Sequence, residues 1–256
     1  MDSDWRKRLQ IFLIVALVLA GLRIAWIFYE RKQPANPNEN KPTYSTNADD
    51  YVSVPKIYAY DLKSADKELA GKPVWVRAGW AVPYYSFNAT AGEAELKHQK
   101  GLLPPLEKLD IQKVIVQRIP AQLKAGEVAV VQKQAFAVYK REGSSAPEAV
   151  SIATVNGDDF NVTANDTLFF VDPHQLYKHW PAETWAAIDH HEAKPGMNEL
   201  QVGFALGTSG SVGTGDYGNR EIEYNNGGHP VKVMFQNNKA TSVSPEDAKE
   251  PAHGRS

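Results

Sequence analysis

Residues 196–208 read Gly-Met-Asn-Glu-Leu-Gln-Val-Gly-Phe-Ala-Leu-Gly-Thr. Asn198, followed three places later by Gln201, is a capping-box start, because each side chain can bond the other residue's backbone N–H. Leu200 and Phe204 then fall at i, i+4 on one helical face, and Gly207 is a natural stop. The stretch predicts a short helix. Working toward the N-terminus, Pro181 suits a first helical position, with Glu183 in the first turn. Trp185 and Ile188 share one face, and Pro195-Gly196 should end this helix near Lys194. Working toward the C-terminus, Arg220–Tyr224, Pro230–Gln236 and Lys239–Val243 read as strands, with turns at Asn225-Asn226-Gly227-Gly228 and Asn237-Asn238. Val231, Val233 and Phe235 alternate onto one face. Residues 181–243 therefore read as two short helices followed by a three-stranded antiparallel sheet.

Two strings in this region, GMNELQVGFALGT (196–208) and VKVMFQNNKAT (231–241), resemble the SmpA/OmlA (BamE-like) envelope protein family. The likeness covers the region 181–243 and lies in a Gly-Met, a helix carrying Gln-Val, a Leu-Gly stop, and a strand closing on a polar hairpin. The resemblance implies an ααβββ module used as a small protein-binding scaffold. This chain departs from those lipoproteins in having no cysteine to carry a lipid.

The region before it, 51–180, reads as all-β. Pro73–Val82, Gln112–Ile119, and Glu127–Tyr139 with Val128, Val130, Phe136 and Val138 on one face, carry strand patterns. Ala149–Val155 and Asp159–Thr163 flank Asn156-Gly157, a strong hairpin signal. Thr167–Val171 ends at Asp172-Pro173, since proline cannot extend a ladder. Such short strands predict a small antiparallel β-barrel, SH3-like or OB-like. A long loop, Ser86–Leu109, contains Leu102-Leu103-Pro104-Pro105-Leu106, which either binds a partner or folds back as a cap. Trp75, Trp80, Tyr84, Tyr85 and Phe87 fit a barrel core and one mouth.

Near the N-terminus the apolar run Ile11–Tyr29 would cover roughly 28 Å as helix, about one hydrocarbon core. Arg23, at about 2.5–3.5 kcal/mol on insertion scales, is its one defect. Arg6, Lys7 and Arg8 precede it, against Arg31 and Lys32 after it, which predicts a cytoplasmic N-terminus at 1–10. The reading is a transmembrane signal-anchor over 11–29, with cleavage after Val18-Leu19-Ala20 as the alternative. A flexible tether over 30–50 and a disordered tail over 244–256 complete the organisation. The fold class expected is α+β: a transmembrane helix, a small β-barrel, and an ααβββ module.

Composition excludes some chemistry. The chain has 28 Lys and Arg against 30 Asp and Glu, a net charge of −2, and shows no basic clustering to meet nucleic acid. With no cysteine there is no disulfide, thiolate nucleophile or Cys-ligated zinc. His174, His179, His190 and His191, beside Asp172, Asp189 and Glu192, are the candidate metal ligands, but none has the spacing of a known zinc motif. The Gly207–Gly218 loop lacks the lysine and strand-loop-helix setting of a phosphate loop and reads as a connection. No Gly-x-Ser-x-Gly elbow is present. The expectation is a non-catalytic, single-pass protein of the inner membrane, its C-terminal domains periplasmic, binding envelope proteins and no cofactor or metal. A metal-dependent hydrolase using the four histidines, or a ligand-binding envelope sensor, are the alternatives. The sequence leaves the oligomeric state open.

Overall fold

The computed structural model describes residues 3–32, 47–119, 133–141, 143–144 and 146–245. The 33–46 part of the expected tether, the 127–132 part of one strand, and the tail beyond Pro245 lie outside them. The chain divides into two units, 1–47 and 48–256.

The first unit is helix α1 (Ser3–Lys32). Its described side chains from Phe12 to Trp26 are exposed on every face. Among the described residues no helix is long and apolar enough to cross a membrane. Arg23 lies within the apolar stretch of this helix and costs about 2.5–3.5 kcal/mol on insertion scales. This corrects the transmembrane signal-anchor expected over 11–29, and with it the single-pass placement.

The second unit opens with a 3₁₀ turn, Ala48–Tyr51, where the tether was expected to be still running. Helix α2 (Leu62–Leu69) follows, started by a reciprocal Asp61–Ser64 capping box. It buries Ala65 and Leu69, and Asp66 accepts a 2.7 Å hydrogen bond from the Val114 amide. Then come β1 (Pro73–Val76), β2 (Pro83–Asn88), β3 (Glu93–Leu102), β4 (Lys108–Arg118), β5 (Lys133–Lys140), β6 (Glu148–Asn156), β7 (Asp159–Val162), α3 (Ala164–Thr167) and β8 (Leu168–Phe169). These strands form one antiparallel sheet in the order β3-β2-β6-β5-β4-β1-β8, with β7 hairpinned onto β6.

The sheet is open, which corrects the expected barrel. Its path ends at β3 and at β8, and no ladder joins them. It is nevertheless buried on both faces at its centre. Ala135, Ala137 and Tyr139 of β5 enter one cluster with α2, β1 and β6, while Phe136 and Val138 enter another with Phe87 and Ala94. Such two-sided burial explains the near-continuous apolar character of β5.

Helices α4 (Pro173–Leu176), α5 (Ala182–Asp189) and α6 (Glu199–Leu206) lead to the second sheet. Helix α5 ends at Asp189, short of the Lys194 expected, and His191 beyond it has φ 55°. The α6 capping box forms as read from the sequence, and Gly207 closes the helix at φ 85°. Four strands follow, one more than expected: β9 (Ser209–Val212), β10 (Glu221–Tyr224), β11 (Val231–Gln236) and β12 (Lys239–Pro245), in the order β12-β11-β10-β9. The extra strand comes from the glycine-rich stretch expected to be a bare connection. Its residues carry no apolar alternation, so only pairing with β10 reveals it.

Val233 and Phe235 point into a core shared with α5 and α6. That core also takes Phe169, Tyr177 and Trp180, with Val52, Val54, Trp75 and Leu106 packed against it. Residue 180 is therefore no packing boundary, and the two sheets belong to one unit.

Candidate functional site

The four candidate histidines do not converge. His174 stacks on Trp185 with ring centroids 4.0 Å apart, its Nδ1 3.1 Å from Asp172 and its Nε2 3.1 Å from Asp189. His179 Nε2 lies 2.6 Å from an Asp49 oxygen, and His191 Nδ1 lies 3.2 Å from the Ala205 carbonyl. Each of these three rings engages a different protein group. Among the described residues no group of three or more His, Asp or Glu is placed to hold a metal ion.

The His179 contact belongs to a clasp that the sequence did not disclose. The Asp49 carboxylate, 8 % exposed, takes hydrogen bonds from Trp180 Nε1 at 2.6 Å and Asn198 Nδ2 at 2.8 Å besides His179. Burial would push this carboxyl up, but its three donors outweigh burial and hold it below the usual aspartate value. Asn198 is at the same time the N-cap of α6, its Oδ1 accepting from the Gln201 amide at 2.8 Å. The clasp joins the chain's entry into the unit to the start of that helix.

The aromatics expected to fill a barrel core and one mouth are dispersed. Trp75, Tyr84 and Tyr85 pack against three different clusters. Trp80 instead lies against Gly207 and Gly227, where an added Cβ would come within 2.6 Å and 2.9 Å of its ring. Those two glycines permit close contact between the small sheet's loops and the large sheet. In the Leu-Leu-Pro-Pro-Leu stretch, Leu103 is fully buried and donates its amide to the Val82 carbonyl at 2.9 Å. Leu102 ends β3, and Leu103 carries the β2–β3 pairing one step further.

The second buried carboxylate in the small-sheet region is Glu199, in the first turn of α6. It accepts from the Gly218 amide, and from Arg220 Nη2 at 2.8 Å and Nε at 3.2 Å. It lies at the side of an open cleft of about 340 Å³. One wall is the α6 face of Leu200, Gly203, Phe204 and Gly207, at the i, i+3, i+4, i+7 positions of a single stripe. The other is β9, through Ser209 and Val212, with Ile222 and Tyr224 of β10 also lining it. Arg77, Tyr217 and Arg220 supply the polar groups. Tyr217 and Tyr224 are pushed above the usual tyrosine value, first by burial and then by the Glu199 charge, so both hydroxyls stay protonated at neutral pH.

The cleft holds no nucleophile with an adjacent base. What it offers is a sheet edge. β9 is the last strand of its sheet, all four of its residues are exposed, and Val212 is 49 % exposed. The Gly213 amide bonds the Glu221 carbonyl at 2.9 Å, so by alternation the Val212 amide points away from β10, toward the unpaired edge. Comparison with protein-family models, with curated proteins and with solved structures gives no match.

Proposed function

We propose that this chain is a non-catalytic, protein-binding scaffold, and that partners dock along β9 in the groove beside α6. The observation that carries the reading is the unpaired β9 edge facing an apolar helical stripe. A strand edge supplies main-chain hydrogen bonds to an added strand, and a neighbouring groove supplies side-chain pockets. The BamE-like resemblance of 196–208 and 231–241 implies the same use. Deleting 181–243 is a poor test, because its core is shared with Trp75, Leu106 and Phe169.

Gly203 allows a cleaner one. It lines the groove, and a Cβ added there meets nothing within 4 Å. Gly203→Leu should fill the groove while the chain stays folded. A photo-crosslinking residue at Val212 of the full chain should then capture discrete partners in the parent protein and lose them with Gly203→Leu. Capture that is unaffected by Gly203→Leu in a folded chain overturns the reading.

A further inference from the structure

The charges of the β9–α6 groove are unevenly matched. Glu199 and Arg220 are paired with each other, Nε and Nη2 of the guanidinium reaching the carboxylate's two oxygens. Tyr217 and Tyr224 are neutral. That leaves Arg77. Its Nη1 donates to the Asn165 carbonyl at 3.2 Å, and its guanidinium carbon sits 5.6 Å from the centre of the Phe169 ring. Among the described residues no carboxylate lies within ion-pair distance of it. Arginine has five donors in a planar fork suited to a carboxylate, and one hydrogen bond to a carbonyl leaves most of that capacity unused. The backbone holds the residue in place as well, the Arg77 amide donating to Thr167 O at 2.8 Å.

We infer that the groove selects an extended peptide segment carrying a carboxylate, which pairs with Arg77 while the segment's backbone continues the sheet beyond β9. This rests on the docking reading above and adds the chemistry of the partner. A neutral or basic segment would gain the main-chain bonds and the apolar contacts but leave Arg77 unmatched. The carboxylate comes from an Asp or Glu side chain or from a chain terminus, and the test separates the two sources.

The probe is a random linear peptide library displayed against the purified full chain, its enriched sequences then synthesised with free-acid and with amidated ends. Enriched peptides should alternate strand-forming residues, carry a carboxylate, and lose binding to Gly203→Leu. Arg77→Gln should weaken them by about tenfold or more, replacing the carboxylate by an amide should weaken them equally, and the two losses should not add, as expected for a single charge-assisted contact. Arg77→Lys should recover part of the loss, which distinguishes a charge contact from a folding defect. Sensitivity to end amidation assigns the terminal carboxylate, and insensitivity assigns the side chain. Peptides that bind the groove equally well with and without a carboxylate, in both the parent and Arg77→Gln, overturn the inference and leave the docking reading standing. Failure to enrich any peptide sensitive to Gly203→Leu overturns both.

Discussion

Gln117 on β4 and Ala94 on β3 are joined in both directions. The Gln117 Nε2 donates to the Ala94 carbonyl at 2.8 Å, and the Ala94 amide donates to Gln117 Oε1 at 2.7 Å. A side-chain amide thus stands in for one rung of a ladder that is otherwise absent between these strands. It explains how an open sheet keeps β3 and β4 close enough to enclose Phe87, Ala94, Phe136 and Val138 between them.

Replacing Gln117 by Ala should therefore loosen β3 specifically. Two neutral hydrogen bonds at about 0.5–1.5 kcal/mol each set the scale, roughly 1–3 kcal/mol of destabilisation in urea unfolding. Amide exchange at Ala94 should accelerate more than at Ala135, which lies in the middle of the sheet. Equal acceleration at both positions would mean that Gln117 supports the whole sheet rather than this junction.

The Asp49 clasp makes a different demand. Asp49→Asn removes the charge from a carboxylate with three donors, and hydrogen bonds to a charged group are worth about 1.5–3 kcal/mol each and are not additive. A loss of about 2–4 kcal/mol is expected, with His179→Ala costing less because the Trp180 and Asn198 bonds survive. The check is chemical denaturation of the full chain carrying each variant, and a loss below about 0.5 kcal/mol for Asp49→Asn would show that the clasp is not holding the segment.

Acid should act through Glu148. This carboxylate is 1 % exposed and is met by Arg141 Nε at 2.8 Å, Arg141 Nη2 at 3.0 Å and Lys100 Nζ at 2.7 Å. Burial pushes it up, but the Arg141 and Lys100 hydrogen bonds outweigh burial and hold it below the usual 4.5. A carboxylate depressed in the folded state binds protons more readily when unfolded. Its stabilisation is complete above the unfolded value and is lost as pH falls through the folded one. Stability should be flat from neutral pH to about 5 and decline below that. Asp49, likewise depressed, adds to the same acid limb. Glu148→Gln should cost about 1–3 kcal/mol at neutral pH, by removing the charge that the partly exposed Arg141 and Lys100 both meet, and should flatten the acid limb. Unfolding free energies across pH 7 to 3 test both statements, and a variant with an unchanged acid slope would remove Glu148 from the account.

Two glycines, Gly203 inside α6 and Gly207 capping it, should respond oppositely to the same change. A Cβ at Gly207 would come within 2.7 Å of the Gly79 carbonyl and 2.6 Å of the Trp80 ring, at a φ of 85°. Gly207→Ala should destabilise by more than about 1 kcal/mol, since both strain and collision oppose it. Gly203 lies inside the helix with open space around it, so Gly203→Ala should stabilise by about 0.5–1 kcal/mol. Thermal midpoints that move in the same direction would contradict this placement of the helix end.

What the sequence by itself determined was local. The Asn198–Gln201 capping box, the Asn156-Gly157 hairpin, the Asn237-Asn238 turn and the face shared by Val233 and Phe235 all follow from groups a few residues apart, whose geometry neighbouring torsions set. The tertiary structure alone decided the rest. A run of short strands is equally compatible with a closed barrel and an open sheet, because closure depends on whether the two end strands, here β3 and β8, meet along a ladder, and in this chain they do not. Asp49 reads as part of a polar tether until Asn198, 149 residues on, and His179 supply its donors. Ser209–Val212 has no apolar period, so its strand exists only by pairing with β10. The groove, with Arg77 from the bend after β1 lining it beside the edge of the small sheet, arises from contacts between segments distant in the chain, whose partners no local pattern encodes.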